Sequence, residues 1–337
     1  MTVMDMNGQA AKASLYGGER VDPNPAKIWQ NTGMKIGIAV AAVCLAISLP
    51  QWMTDNYILG LINFMAIFGI CCMGLNLILG YTGLLSLGHA AFYGIGAYTT
   101  AILMTRHGFG FLPALAISGL ITLGVALILG FPIRNIRGDY FCLLTIAFGE
   151  IFRLVAQAWI PFTGGAMGIV GIPIPKIFGY ALTTEMDFYY LALGLLFFTY
   201  VTLSLLVRTK CGRALIAIRE DELAAQAMGI NTPMYMVLAF SIGSLYAGLA
   251  GSLLAVYQTT VTPSNFRIEE SCLMIIMVIV GGMGRLWAPL IGVIVMTLAT
   301  EFFRPFAEYR MLIIGAMMIL LLLFRPQGVF GTSAFKG

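Results

Sequence analysis

Apolar stretches of about 20 residues recur along this chain, and that recurrence decides what it can fold into. Such runs lie near 34–53, 57–79, 86–104, 112–132, 139–160, 187–207, 234–257, 271–300 and 308–324. Each is long enough for a helix to cross the roughly 30 Å hydrocarbon core of a bilayer. The run at 271–300 is too long for one simple span, and Gly281, Gly282, Met283, Gly284 and Arg285 cut it. The chain is therefore expected to be all-α and polytopic, with nine or ten transmembrane helices. Composition agrees. Charged residues make up 10% of the 337 residues and mean hydropathy is +0.90, against about 25% charge in soluble domains. The net charge of +4 sits in loops and reads as topology, not as nucleic-acid binding.

One segment breaks the apolar pattern. Residues 208–231, RTKCGRALIAIREDELAAQAMGIN, hold four of the 19 Lys/Arg and three of the 15 acids. A membrane protein keeps such a run in water, and the positive-inside rule assigns it to the cytoplasm. Its second half, 222–229, is short, Ala-rich and closed by a glycine, the form of a helix that docks into a partner. With the N-terminus inside, the inner segments 1–35, 134–138 and 208–233 carry ten Lys/Arg and the outer segments three. Arg325 and Lys336 favour an inside C-terminus. That arrangement gives ten crossings with the 281–285 break facing the cytoplasm. Residues 1–33 read as a polar cytoplasmic leader, 34–331 as the transmembrane domain with a cytoplasmic segment at 208–233, and 332–337 as a short tail. The first apolar run begins near Met34, after that leader, and is expected to stay as an anchor instead of being cleaved.

Candidate functional residues fall in a few places. GYTGLLSLGHAAFYGIGAY (80–98) carries Gly80, Gly83, Gly88, Gly94 and Gly96. Glycines in a membrane helix allow close backbone approach or a break, and breaks at membrane depth occur where they line a cavity or are buried in protein. A second break at 281–284 lies in the other half of the chain, a pattern expected near a translocation path. Gly83, Ser86, Gly88, Gly281, Gly282 and Gly284 are the path candidates. Close helix packing alone is the competing reading. Glu150 and Arg153 lie near mid-bilayer on one helix face at i,i+3 spacing, so they can pair. A structural ion pair is the alternative to a path role. His89 has no metal-ligand neighbours and reads as structural. Thr163, Gly164, Gly165 and Gly168 open the longest outer loop, as a docking surface or an ordinary turn.

Several chemistries are missing. No phosphate-binding loop surrounds any lysine, and there is no nucleophile elbow, zinc motif or Cys/His cluster. Cys44, Cys71, Cys72, Cys142, Cys211 and Cys272 show no metal or redox spacing. No catalytic residue, cofactor or metal is expected, and the energy source must be a partner or an ion gradient.

Four motifs resemble the LivM-type permease subunits of branched-chain amino acid ABC importers: GLLSLGHAAFYGIGAY (83–98), RGDYFCLLTIAFGEIFRLV (137–155), GRALIAIREDELAAQAMGIN (212–231), and VGGMGRLWAPLIG (280–292) with FRPQGVFG (324–331). The resemblance covers about 57–331. It implies a type II-like ABC permease fold in a bacterial inner membrane. It also implies a LivH-like second permease, two cytoplasmic ABC ATPases and a periplasmic substrate-binding protein as partners, with the cargo moved inward by alternating access. ABC permeases carry a coupling motif beginning Glu-Ala-Ala, with a glycine four positions after the second alanine. Ala224, Ala225 and Gly229 match it. Leu223 occupies the Glu position, and the acid falls at Glu222. Urea, short amides or other small organic solutes are alternative cargoes. An ion-coupled secondary transporter using Glu150 or Glu301 is the alternative mechanism.

Overall fold

The computed structural model describes residues 55–133, 139–177, 179–304 and 315. The spans expected at 34–53 and, but for Gly315, at 308–324 lie outside them, as do the basic inner segment 134–138 and the two termini. The described helices are α1 (Asn56–Thr82), α2 (His89–Arg106), α3 (Phe111–Ile133), α4 (Asp139–Ala158), the single turn α5 (Ile160–Thr163), α6 (Glu185–Arg208), α7 (Lys210–Glu220), α8 (Glu222–Ala227), α9 (Thr232–Gln258), α10 (Ile268–Gly281) and α11 (Ala288–Phe302). Five of these, α1, α3, α4, α6 and α9, are long and apolar enough to cross a membrane.

Helix α9 forms the centre. It packs on α1, α2 and α3, and its most apolar window is 78% buried, against 17% for α4 and α6. Helices α1, α2 and α9 carry no distinct polar face, as expected of enclosed helices. With lipid outside, no hydrophobic gradient drives them together, so close backbone contact must. Glycines supply it. A Cβ on Gly96 would lie 2.0 Å from the Gly248 carbonyl oxygen, and one on Gly251 would lie 1.9 Å from that of Tyr93. The α1–α9 crossing repeats the device, with Gly74 and Gly243 each within 2.6 Å of the other's carbonyl oxygen by the same test.

The expected break in 271–300 is present, because α10 ends at Gly281 and α11 begins at Ala288. The two helices form a hairpin. A Cβ on Gly281 would strike the Ala288 carbonyl oxygen at 2.1 Å, and one on Gly292 that of Met277 at 1.7 Å. At 14 residues, α10 rises about 21 Å, short of a full crossing. Its tip is held from the side by Asn76. The Asn76 Nδ2 donates to the Arg285 carbonyl (3.0 Å), and its Oδ1 accepts from the Gly284 N–H (3.3 Å). Asn76 is six residues before the end of α1, so the tip stops about 9 Å short of that end.

At the opposite end the connections fold into a cap. The strand Ile169–Val170 pairs antiparallel with Thr260–Val261, and Lys176–Ile177 pairs with Tyr180–Ala181. The Thr163 hydroxyl donates to the carbonyls of Ala156 and Trp159. A Cβ on Gly168 would lie 1.9 Å from the Val261 carbonyl oxygen. The glycine-rich turn therefore seats this loop against the start of the 260–266 connection.

Candidate functional site

Two regions of the described chain could serve transport. The first is the break between α1 and α2. Helix α1 closes at Gly83, whose φ of 75° and N–H bond to the Leu79 carbonyl make a left-handed cap. The chain then runs back down the bundle without helical structure. By His89 it is level with Cys71, because the His89 Nε2 lies 3.3 Å from the Cys71 carbonyl oxygen. Eleven residues separate Cys71 from Thr82 on α1, about 16 Å of helix. Helix α2 thus begins deep in the bundle, and irregular backbone at that depth must be enclosed by protein.

Two neighbouring helices enclose it. The Leu87 N–H donates to the Thr145 hydroxyl of α4 (3.1 Å), and the Ala90 N–H donates to the Ser271 hydroxyl of α10 (2.9 Å). A Cβ at 88 would lie 2.3 Å from the Thr145 carbonyl oxygen, so Gly88 is what lets the loop reach α4. Ser86 and His89 are fully buried. Neither the Ser86 Oγ nor the His89 Nδ1 has a partner among the described residues. Beside them runs a crevice of about 10 Å³, lined by Leu87, Ala90, Glu150, Phe266 and Ser271 among others. It has room for about one water. Of the sequence candidates Glu150 lines it, joined by Ser271, which nothing in the sequence marked.

Glu150 and Arg153 do pair: the Arg153 Nε and Nη2 donate to one Glu150 oxygen at 2.9 and 2.8 Å. Sequence depth suggested that both are deeply buried. In the chain by itself they are not, with side chains 37% and 25% exposed. The reason is that α4 lies at the edge of the bundle. Its outer face leaves Tyr140, Leu143, Ile151 and Leu154 exposed. The glycines at 281–284 stand apart from the crevice. Gly281 serves the α10–α11 crossing, while Gly282 and Gly284, at φ of 118° and 84°, make the turn that Asn76 holds.

The second region is the charged segment. A tight reversal at Thr209 joins α6 to α7, and a Cβ on Gly212 would strike the Val207 carbonyl oxygen at 1.9 Å. Helix α7 is amphipathic, burying Ala214, Leu215 and Ile218. The Arg219 Nη1 donates to the Gly80 carbonyl at 2.8 Å, a cation on the negative end of α1. Gly83, Arg219 and the α10–α11 tip therefore share one end of the bundle.

Helix α8 is a separate short element. The Asp221 carboxylate accepts from the Leu223 and Ala224 N–H groups at 2.9 and 3.0 Å, an N-cap. Ala225 is turned into the protein, 4% exposed. Glu222 also turns back: its carboxylate accepts from Gln226 Nε2 (3.0 Å) and from the Thr232 hydroxyl (3.3 Å). Gly229, at φ of 82°, ends the segment with nothing within 4 Å of a would-be Cβ. Leu223 (68% exposed) and Met228 (82% exposed) point outward, beside exposed Ala224 and Ala227. Leu223 and Met228 were not among the sequence candidates. Large apolar residues inside the most charged run of the chain were the available signal.

A bundle with five helices long and apolar enough to cross a membrane, and with an enclosed break, has the architecture of a polytopic membrane protein. The family model described as "Branched-chain amino acid transport system / permease component" matches residues 57–322. The high-affinity branched-chain amino acid permease LivM of Escherichia coli (strain K12) is 36% identical over 313 residues, spanning 86% of this chain and 73% of that protein. LivM of Salmonella typhimurium is 34% identical over the same shares. LivH of Escherichia coli (strain K12) is 22% identical over 291 residues, 78% of this chain and 91% of that protein. No solved structure matches. The chain belongs to the family of permease components of branched-chain amino acid transport systems. It is an ABC transporter permease subunit and not an enzyme.

Proposed function

We propose that this chain imports branched-chain amino acids by alternating access, driven by a pair of ABC ATPases, one of which docks on α8. Its nearest functional setting is a complex with a LivH-like second permease and a periplasmic substrate-binding protein. The observation that carries the reading is the outward face of α8. Leu223, Ala224, Ala227 and Met228 form an apolar ledge on a capped helix, at the bundle end that also holds Gly83, Arg219 and the α10–α11 tip. A push on α8 reaches the spans by two routes. One is the Glu222–Gln226–Thr232 network into α9. The other is Arg219 of the adjoining α7 onto α1.

On this reading α8 faces the cytoplasm and so does the N-terminus, with ten crossings of a type II-like permease. Ala225 packs the coupling helix instead of touching the ATPase, and Glu222 holds it to α9. The path runs by the 83–88 break, with Ser86, Gly88 and the Glu150–Arg153 pair beside it. Gly281, Gly282 and Gly284 shape the hinge of the α10–α11 hairpin next to that path. Capture of substrate is left to the binding protein, which suits a crevice no larger than one water.

The test is a pair of variants, Leu223→Glu and Met228→Glu, in proteoliposomes with all partner subunits. Leucine uptake is expected to fall at least tenfold while the complex keeps its thermal stability. Uptake at the unsubstituted level in both variants overturns the docking assignment.

A further inference from the structure

We infer that the cleft between the start of α7 and the start of α9 is a binding site for the phosphate headgroup of an anionic phospholipid. This rests on α6 and α9 spanning the membrane and goes beyond the transport reading. The cleft has a volume of about 450 Å³ and is lined by Lys210, Arg213, Ile230, Asn231, Met234 and Tyr235 among others. That volume falls within the range of small-molecule sites.

Its charge is one-sided. Lys210 and Arg213 have no acidic partner among the described residues, whereas Arg219 in the same helix pairs with Glu220 at 2.7 Å. No acid is among the lining residues. Its position is also specific. Lys210 is two residues beyond the end of α6 at Arg208, and Met234 and Tyr235 are in the first turn of α9. The cleft therefore opens where two spans leave the hydrocarbon. Ile230, Met234 and Tyr235 offer an apolar, aromatic side beside the Lys210 ammonium and the Arg213 guanidinium. With α6 and α9 as spans, the proposed site sets the lipid's glycerol region on that side and its phosphate on the two cations. Basic pockets between spans at this level take anionic headgroups, and Lys with Arg suits a phosphate.

The test is native mass spectrometry of the intact complex, with its co-purifying subunits, titrated with phosphatidylglycerol or phosphatidylcholine. Phosphatidylglycerol is expected to bind about tenfold more tightly. The double variant Lys210→Gln/Arg213→Gln should lose that preference, while Arg213→Lys keeps most of it and Lys176→Gln, on the outer loop, keeps all of it. Both cations are exposed, so the double variant is expected to elute as an intact complex; the single variant Lys210→Gln supplies an intermediate preference as a second readout. Equal binding of the two lipids, or an unchanged preference in the double variant, overturns the site. Displacement of phosphatidylglycerol by equimolar inorganic phosphate overturns the lipid assignment in favour of a soluble anion. Binding to the chain alone that vanishes when the ATPases are present also overturns it, because the cleft is then an ATPase contact.

Discussion

At Gly96, Gly248 and Gly251 helices α2 and α9 come within backbone contact, and no side chain fits between them. Gly251→Val places a Cβ 1.9 Å from the Tyr93 carbonyl oxygen. Overpacking of this kind costs about 1–3 kcal/mol or more. The variant should lower the thermal unfolding midpoint of the purified protein by several degrees, whereas Gly124→Ala, with open space around it, should leave it unchanged. Arg219 is the other residue whose role is local. Arg219→Ala removes a charged hydrogen bond to the Gly80 carbonyl, typically about 1.5–3 kcal/mol, and frees α7 from α1. Thermal denaturation should show that loss, and coupling of ATP hydrolysis to uptake should weaken with it. Glu150→Gln leaves Arg153 half-shielded without a full countercharge. Yield of the assembled complex is expected to drop, with Glu150→Asp recovering part of it. An unchanged yield would show that the pair is not needed for assembly.

At the scale of elements, α8 is six residues long, too short to hold itself together in water. It persists because Asp221 caps it, Glu222 ties it to Thr232, and Ala225 is buried. Asp221→Ala should cost about 1 kcal/mol of helix stability. Hydrogen exchange should speed up at the amides of 223–227 and not in α9. Exchange confined to its wild-type rate would mean the cap is dispensable. Element boundaries were mostly legible from sequence, since apolar runs of span length are a strong signal. The expected 57–79, 112–132 and 234–257 became Asn56–Thr82, Phe111–Ile133 and Thr232–Gln258. The span expected at 86–104 starts instead at His89, after an irregular loop, because glycine content reports that a break is allowed and not where it falls. That the loop is seated by Thr145 and Ser271 depends on helices more than 50 and 180 residues away, beyond any local pattern. For the same reason, the exposure of Glu150 was illegible: depth along one helix says nothing about whether that helix is central or peripheral.

Across the whole molecule, the chain resolves into an enclosed core of α1, α2 and α9 and a lightly covered margin of α4 and α6. The charged segment with α7 and α8 lies at one end, and the paired strands at 169–170 and 260–261 lie at the other. On the transport reading, this permease works only in company, with an ABC ATPase bound at α8. The most direct measurement is affinity purification of the tagged chain from gently solubilised membranes, followed by identification of what it retains and assay of ATP-driven leucine uptake after reconstitution. The account predicts a second multi-span permease and an ABC ATPase in the eluate, with uptake that stops when ATP is withdrawn. Recovery of the chain alone, active in liposomes on a proton gradient without ATP, would contradict it.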